Sequence, residues 1–311
     1  MRSTVIARPA AIAALAATMA IGACGGSDPD ESSATPQAAQ SCSRSLRTGD
    51  SAIRLRSGGL TRSARVHVPR GVPRSRRLPV VLVLHFAGGP ARSMEQLTRF
   101  SPLADRERFI AVYPEAAGDR HFWTLPSDAP SKPDDVGFIR DLLDRLERAG
   151  CSDPERIYAT GVSNGGGMAA RLACSLADRI AAIAPVAGGY STFEDDCAPS
   201  EPVSVFEIHG TGDRITPYDG RGGGRGAVPR FLDAWADRDG CDATPARRRL
   251  DRRVMRFTWR GCTAGVRLRH VRITALGHGW PGGTRGPIQG RGSDYPATRE
   301  IWRFFEPLRR R

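Results

Sequence analysis

Apolar runs and amphipathic stretches alternate along most of the chain. The runs 78–85 and 203–210 are apolar almost without interruption, which is typical of strands buried on both faces in a parallel sheet. Residues 64–69 instead alternate apolar and polar side chains, which predicts a strand with one covered face. Because strands and helices alternate, the pattern predicts a single domain with a mostly parallel central sheet and helices on both faces.

The remaining predicted elements follow the same alternation. Further strands are predicted at 109–114, 156–161, 180–188 and around 266–273. Helices are predicted at 93–108, 136–150, 228–240, 297–308 and directly after Ser163. The Gly- and Arg-rich segment 219–228 predicts a loop, and the sequence contains no internal repeat.

The first 23 residues have the pattern of an export signal. Arg2 and Arg8 accompany an apolar run that ends in small residues before Cys24 and is short for a membrane span. The ending Ile21-Gly22-Ala23-Cys24 resembles a bacterial lipobox, which predicts lipidation of Cys24 and anchoring to the outer face of the cell membrane. A plain secretory signal, cleaved near Ala23, is the alternative.

Residues 24–41 are polar and small, contain proline and lack apolar periodicity. This composition predicts a flexible tether that leads to a folded catalytic domain at 42–311. We therefore expect the domain to be extracellular or on the cell surface, with membrane contact only through the lipid.

The net charge of +13 comes almost entirely from arginine. A basic chain raises the question of nucleic acid as a partner, but these arginines are spread along the sequence and are not interleaved with aromatic residues. We therefore expect a solvated basic surface and no nucleic acid partner. The run 247–253 is the segment expected to attract anionic surfaces weakly.

Seven cysteines are present, and six remain when Cys24 is set aside. An even number in an exported chain predicts disulfides, although the sequence alone leaves the pairing open. No Cys-x-x-Cys pair and no His/Cys cluster occurs in the sequence, so neither a metal nor another cofactor is predicted.

The pattern changes sharply within RIYATGVSNGGGMAARLAC, residues 156–174. Ser163 lies between a β-prone run and an alanine-rich helical run, in the form G-x-S-x-G set by Gly161 and Gly165. Such a strand-to-helix turn exposes a nucleophilic serine in the α/β-hydrolase fold. The same short motif also occurs in ordinary loops, so the interpretation depends on the flanking patterns and on partners for the serine.

A serine hydroxyl needs a base to remove its proton and an acid to orient that base. In α/β-hydrolases the acid and then the histidine follow the serine along the chain. Asp213 comes soon after the apolar run 203–210, and His278 lies in a Gly-flanked loop after the last predicted strand. We therefore predict a serine hydrolase with Ser163 as nucleophile, Asp213 as acid and His278 as base.

Other acids and histidines receive lesser roles. Asp219 is a weaker candidate for the acid, and Asp134 and Asp135 are predicted to cap the helix that begins near residue 136. His270 lies within an alternating strand and is predicted to be a surface or packed residue. His209 is interpreted as a structural neighbour of the site.

The oxyanion that develops during acyl transfer needs two fixed N–H donors. Asn164, the residue after the nucleophile, is predicted to supply one backbone N–H. The loop after the strand at 78–85 is predicted to supply the other from Ala87, with Phe86 as the weaker choice. His85 is expected to shape this loop and not to act as a second base.

Five motifs in this order resemble a known family: LHFAGGP, DDVGFIRDLLDRL, YATGVSNGGGMAARLAC, IHGTGDRITPYDG and GHGWPGG. They are similar to the secreted esterases known as polyhydroxybutyrate depolymerases or feruloyl esterases, of carbohydrate esterase type, over about residues 63–302. The resemblance implies an α/β-hydrolase fold and gives Ser163, Asp213 and His278 the same three roles. The family usually has glycine where this chain has Phe86, and this bulk is expected to narrow the acyl pocket.

The family pattern also favours the disulfides Cys174–Cys197 and Cys241–Cys262, which leaves Cys42–Cys151. Trp123 and Trp280 are expected in exposed loops around the cleft, where they either contact the acyl group or pack their own loops.

We expect hydrolysis of esters with short or aromatic acyl groups, such as feruloyl or acetyl groups on a polysaccharide, and we expect the protein to be a monomer. Depolymerisation of polyhydroxybutyrate is the alternative within the family. Two hypotheses from other classes are a non-catalytic surface protein that keeps the fold and a peptidase of the same fold. The sequence shows neither a polyester-binding module nor a propeller or lid domain, which favours a small soluble ester.

Overall fold

The computed structural model describes residues 46–73, 75–125, 132–190, 197–221, 228–284 and 293–310. The chain divides into two units, Met1–Ala38 and Ala39–Arg311, and every described residue belongs to the second. The predicted export signal, the lipidation site Cys24 and the tether lie outside the described residues. In the part that is described, no helix combines the length and the apolarity needed to cross a membrane.

The described strands form one sheet. They are β1 (Gly49–Ser57), β2 (Leu60–Val68), β3 (Leu78–Leu84), β4 (Ile110–Pro114), β5 (Ser152–Val162), β6 (Ala182–Val186), β7 (Ser204–Gly210), β8 (Ala246–Arg249), β9 (Val254–Thr258) and β10 (Leu268–Ile273). Their order across the sheet is β1-β2-β4-β3-β5-β6-β7-β10-β9-β8. The central strands from β4 to β10 pair in parallel, and the edge pairs are antiparallel. The predicted mostly parallel sheet is confirmed.

Helices cover both faces of this sheet. One face carries α1 (Ala91–Thr98), α2 (Phe100–Glu107) and α6 (Ala297–Phe305), and the other carries α3 (Asp135–Arg148), α4 (Asn164–Ser175) and α5 (Val228–Arg238). Successive residues of a buried strand point to opposite faces, so Leu82 belongs to one apolar cluster and Val81 and Val83 to the other. This explains why β3 reads as a continuous apolar run.

Three features differ from the predicted pattern. The chain begins with an antiparallel β1–β2 hairpin, of which the pattern indicated only the second strand. The helix predicted at 93–108 is two helices, because Arg99 adopts a left-handed φ of 56° and ends α1. The edge strands β8 and β9 were not predicted. The arginine-rich run 247–253 contributes to β8, which pairs with β9 at the sheet edge, where exposed charged side chains are common.

Two predicted disulfides are confirmed. Cys174–Cys197 joins the end of α4 to the segment before β7, with 5.0 Å between the Cα atoms. Cys241–Cys262 joins the residues after α5 to the loop between β9 and β10, with 3.8 Å between the Cα atoms. The pair Cys42–Cys151 stays a prediction, since Cys42 lies outside the described residues.

Candidate active site

Ser163 lies at the sharp turn between the end of β5 and the start of α4. Its backbone has φ 59° and ψ −122°, an unfavourable conformation for a residue with a side chain. The turn is held because the Ser163 N–H donates to Val186 O at 3.1 Å and the Ser163 carbonyl accepts from Gly167 N–H at 3.0 Å. The serine is therefore fixed in a strained corner, half-buried, at the head of α4.

The turn requires glycine because three backbone segments meet there. A Cβ atom on Gly165 would lie 2.4 Å from Leu84 O and 2.5 Å from His85 O. A Cβ atom on Gly161 would lie 2.5 Å from Gly165 O. These separations are far below van der Waals contact, so only glycine lets the end of β3 lie against β5 and α4.

Asp213 and His278 form a hydrogen-bonded pair, with His278 Nδ1 2.8 Å from Asp213 Oδ2. Asp213 follows β7 and His278 follows β10, and these two strands are parallel neighbours. Asp213 Oδ1 accepts the N–H groups of Ile215 at 2.8 Å and Thr216 at 2.9 Å, which fixes the carboxylate. Because the carboxylate engages Nδ1, Nε2 is the nitrogen of His278 that is left to accept a proton.

The surroundings of Asp213 keep it ionised. Burial alone raises the pKa of this carboxyl, but the side chains of His209 and His278 outweigh burial and hold the pKa well below its usual range. Thr216 contributes its backbone N–H and also donates its hydroxyl to Oδ2 at 2.9 Å. Asp213 is therefore a fixed negative charge beside His278.

The serine and the Asp213–His278 pair are linked indirectly, through Thr216 and the backbone at Val186 and Ala187. Thr216 Oγ1 lies 3.1 Å from Ala187 O, and Ala187 directly follows Val186, which accepts the Ser163 N–H. Within the described residues, no hydrogen bond joins the Ser163 hydroxyl to the His278 ring. Such hydrogen bonds are often long in enzymes without substrate and tighten only in the reacting complex.

His85 holds the loop after β3. The side chain is fully buried, its Nε2 accepts the Ala116 N–H at 3.0 Å, and its Nδ1 lies 2.9 Å from Phe86 O. Since Nε2 is an acceptor, Nδ1 carries the hydrogen and the ring is neutral. Burial lowers the pKa of His85, in agreement with a neutral ring. The geometry agrees with the expectation that His85 shapes this loop.

The predicted N–H donors, Asn164 and Ala87, lie on the two segments that pack together at Gly165. Asn164 is at the start of α4, and Ala87 is in the loop that continues from β3. Asn164 is the first residue of α4, where backbone N–H groups lack a partner within the helix. Its side chain binds a neighbouring loop, because Oδ1 accepts the Trp123 N–H at 2.8 Å and Nδ2 donates to Trp123 O at 3.2 Å. Ala87 is exposed in the loop after β3.

The expectation that Trp123 and Trp280 lie exposed around the cleft is wrong, because both side chains are fully buried. Trp123 Nε1 donates to His85 O at 2.9 Å, and the two rings lie 4.8 Å apart. Trp280 Nε1 donates to Thr298 Oγ1 at 3.0 Å. Each ring is covered and each N–H is satisfied, so both residues pack their own loops and neither forms a wall for a substrate.

Phe86 is half-buried, and its ring lies over the backbone of Gly89. A Cβ atom on Gly89 would lie 2.3 Å from this ring, and the Gly89 N–H donates to Phe86 O at 3.1 Å. The phenyl ring thus folds over the turn that carries Ala87.

The two predicted helix caps have different roles. Asp134 caps α3 by accepting the Gly137 N–H at 2.8 Å. Asp135 was also predicted to cap, but it forms a buried ion pair with Arg62 at 2.5 Å and accepts the Thr124 N–H at 2.8 Å. This ion pair anchors the segment that carries Trp123 to β2 and α3.

Two residues near Asp213 and His278 were not predicted from the sequence, Thr216 and Glu207. The signal for Thr216 was its position three residues after Asp213, where a side chain can close a local turn around the carboxylate. Glu207 is fully buried in β7, and its only signal was a charged residue inside an apolar run.

Asp219, the weaker acid candidate, is exposed and pairs with Arg221 at 2.6 Å. Among the described residues, no group of three or more His, Cys, Asp or Glu side chains is placed to hold a metal ion.

A family model described as Esterase PHB depolymerase matches residues 63–217, which include Ser163 and Asp213. "Putative esterase NocK" of Nocardia uniformis subsp. tsuyamanensis is 32% identical over 73% of this chain and 72% of that protein. "Bifunctional acetylxylan esterase/xylanase XynS20E" of Neocallimastix patriciarum is 27% identical over 72% of this chain and 32% of that protein. "Feruloyl esterase B" of Piromyces equi is 28% identical over 68% of this chain and 42% of that protein. The chain thus spans less than half the length of the last two relatives.

Solved structures agree on the fold. An acetyl xylan esterase from Aspergillus awamori matches with a TM-score of 0.60 and 14% identity, over 82% of this chain and 99% of that chain. A thermostable esterase matches with a TM-score of 0.53 and 16% identity, over 84% of this chain and 63% of that chain. Together with the extent of the match to NocK, the fold and these likenesses lead to one conclusion: this chain belongs to the Esterase PHB depolymerase family and is a carboxylic ester hydrolase of the α/β-hydrolase fold.

Proposed function

We propose that the chain hydrolyses esters through an acyl-enzyme formed on Ser163, with His278 as general base and Asp213 as its orienting acid. The observation that carries the proposal is the 2.8 Å contact between His278 Nδ1 and Asp213 Oδ2, next to a serine held in a strained elbow. His278 Nε2 takes the hydroxyl proton as Ser163 Oγ attacks the ester carbonyl carbon. The resulting imidazolium then gives this proton to the departing alcohol oxygen.

The second half-reaction uses the same groups in the same order. Water gives a proton to His278 Nε2 and attacks the acyl carbon, and the collapse of this intermediate returns the proton to Ser163 Oγ and releases the acid. In both halves the carbonyl oxygen becomes negative. We assign the backbone N–H groups of Asn164 and Ala87 as its donors, because Asn164 begins α4 and Ala87 lies exposed in the adjoining loop.

We further propose that the substrates are esters with short or aromatic acyl groups on a soluble or polysaccharide-linked alcohol. The names of the acetylxylan and feruloyl esterase relatives support this class. We expect Phe86 to disfavour branched acyl groups, because its ring folds over the turn that carries Ala87, the proposed donor. Polyhydroxybutyrate is the second candidate, from the description of the family model.

Replacement of Ser163 by alanine is expected to lower kcat on p-nitrophenyl acetate by about 10³-fold or more, since no acyl-enzyme can form. Ser152→Ala is the matched control, because Ser152 is a buried serine at the other end of β5 whose hydroxyl has no partner among the described residues. Steady-state kinetics and thermal unfolding of both variants check the prediction. Comparable activity of the folded Ser163→Ala variant and the control would refute the assignment.

Purified protein is expected to turn over methyl ferulate and short p-nitrophenyl esters well above long-chain esters, and to erode solid polyester film little. Phe86→Gly is expected to raise kcat/KM for branched acyl esters relative to p-nitrophenyl acetate, which serves as the internal reference. A substrate panel on the wild type and this variant makes the comparison. Rapid clearing of polyhydroxybutyrate suspensions without activity on methyl ferulate would establish the depolymerase in its place.

Export and a lipid anchor on Cys24 complete the proposal, with the folded domain as a monomer outside the cell. The lipobox-like ending of the apolar run and the polar residues 24–41 support it. The mature protein from a bacterial host is expected to start at Cys24 with a lipid mass and to partition with membranes, and Cys24→Ala is expected to release it. A lipid-free N-terminus near Ala23 in the medium would instead indicate a plain secretory signal.

A further inference from the structure

A second histidine, His209, contacts the same carboxylate oxygen of Asp213 as His278 does. His209 lies on β7, is fully buried, and has its Nε2 3.4 Å from Asp213 Oδ2 and 2.8 Å from Thr216 O. Its other nitrogen, Nδ1, lies 2.9 Å from Glu207 Oε1. The ring therefore lies between two carboxylates that are both removed from solvent.

The contacts of His209 fix its protonation. A carbonyl and two carboxylates face its ring nitrogens, and all of these are acceptors, so both nitrogens must carry hydrogen. Burial alone lowers the pKa of His209, but Asp213 and Glu207 outweigh it and raise the pKa to about 10. His209 is therefore an imidazolium at neutral pH.

Glu207 is the partner that stabilises this cation. Its Oε1 accepts the Tyr190 hydroxyl at 3.1 Å as well as His209, and its Oε2 lies 2.6 Å from His270 Nδ1. Burial raises the pKa of Glu207, but the contacts with His209 and His270 outweigh it and lower the pKa below its ordinary value. Negative, positive and negative charges thus alternate from Glu207 through His209 to Asp213.

We propose that His209 is a positioning residue for the ester hydrolysis proposed above, acting as a buried cation that keeps Asp213 charged and aimed at His278. Without it, two buried carboxylates would face one another with no cation between them. One of them would then take up a proton, and a protonated Asp213 is a poor acceptor for His278.

The expected sign of the pH effect follows from the same charges. Loss of the His209 cation raises the pKa of Asp213, because a neighbouring positive charge favours the ionised carboxylate. Since only the ionised carboxylate is a good acceptor for His278, the acid limb of the kcat/KM profile moves to higher pH. The groups around His209 are Glu207 on β7, Asp213, Thr216 and Tyr218 after it, Tyr190 after β6, Arg272 and His270 on β10, and His278 after β10.

The charge of His209 can be read without any catalysis. In the whole protein labelled with ¹⁵N-histidine, one ring is expected to show both nitrogens protonated at pH 8.5, and this signal is expected to persist in Ser163→Ala and to vanish in His209→Gln. Absence of a doubly protonated ring in the wild type at that pH would overturn the inference even if the protein hydrolyses esters. A persistent signal with an active Ser163→Ala variant would instead overturn the proposed function alone.

The positioning role is tested by pH profiles of kcat/KM on p-nitrophenyl acetate. His209→Gln is expected to shift the acid limb upward by about one unit and to recover part of its activity at high pH. His270→Gln is the matched control, since it removes a buried histidine that contacts Glu207 but not Asp213. A uniform loss of activity without movement of the limb, or the same shift in both variants, would contradict the role. If His209→Gln does not fold, Glu207→Gln replaces it. In that variant the doubly protonated signal of His209 is expected to titrate at lower pH than in the wild type.

Discussion

The backbone contact at the elbow is the constraint on which the rest of the site depends. The end of β3 approaches Gly165 so closely that a single Cβ atom would lie 2.4 Å from a carbonyl oxygen. Two consequences follow from this approach. Ser163 is held in a conformation with φ 59°, and the end of β3, from which the loop with Ala87 continues, lies against the first turn of α4. The proposed nucleophile and the proposed oxyanion donors are thus positioned by backbone packing, which a flexible side chain could not do as rigidly.

Charge positions the other half of the site. Asp213, His278 and the residues behind them lie on β7, β10 and the loops that follow, and each charged group has a partner of opposite sign or a dipole. A buried carboxylate without such partners would be neutral and would release its histidine. Several charged side chains are therefore stable in the buried region next to the core, because negative and positive groups alternate there.

Local patterns in the sequence predicted the central sheet well, because buried parallel strands appear as uninterrupted apolar runs. The roles of Ser163, Asp213 and His278 were inferred from their order along the chain and stay a prediction, although Asp213 and His278 lie in contact. The antiparallel edge strand β8 was missed, because its four exposed residues carry no apolar pattern. The burial of Trp123 was not predicted, because its indole N–H is satisfied by the carbonyl of His85, a residue distant in the sequence.

The role of His209 shows the same limit at the site itself. Its place before Asp213 indicated a neighbour of the site, but its charge depends on Glu207 and on a carbonyl three residues beyond the acid. Neither contact has a signature in spacing alone. Long-range contacts of this kind become visible only when the strands are assembled.

We propose that the strained corner makes Ser163 the reactive nucleophile. The most direct measurement is peptide mapping by mass spectrometry after treatment of the folded protein with a fluorophosphonate. One adduct per chain is expected, on Ser163 within the tryptic peptide 157–171, with loss of esterase activity in proportion to labelling. An adduct on another residue, or full activity in protein labelled at Ser163, would contradict it.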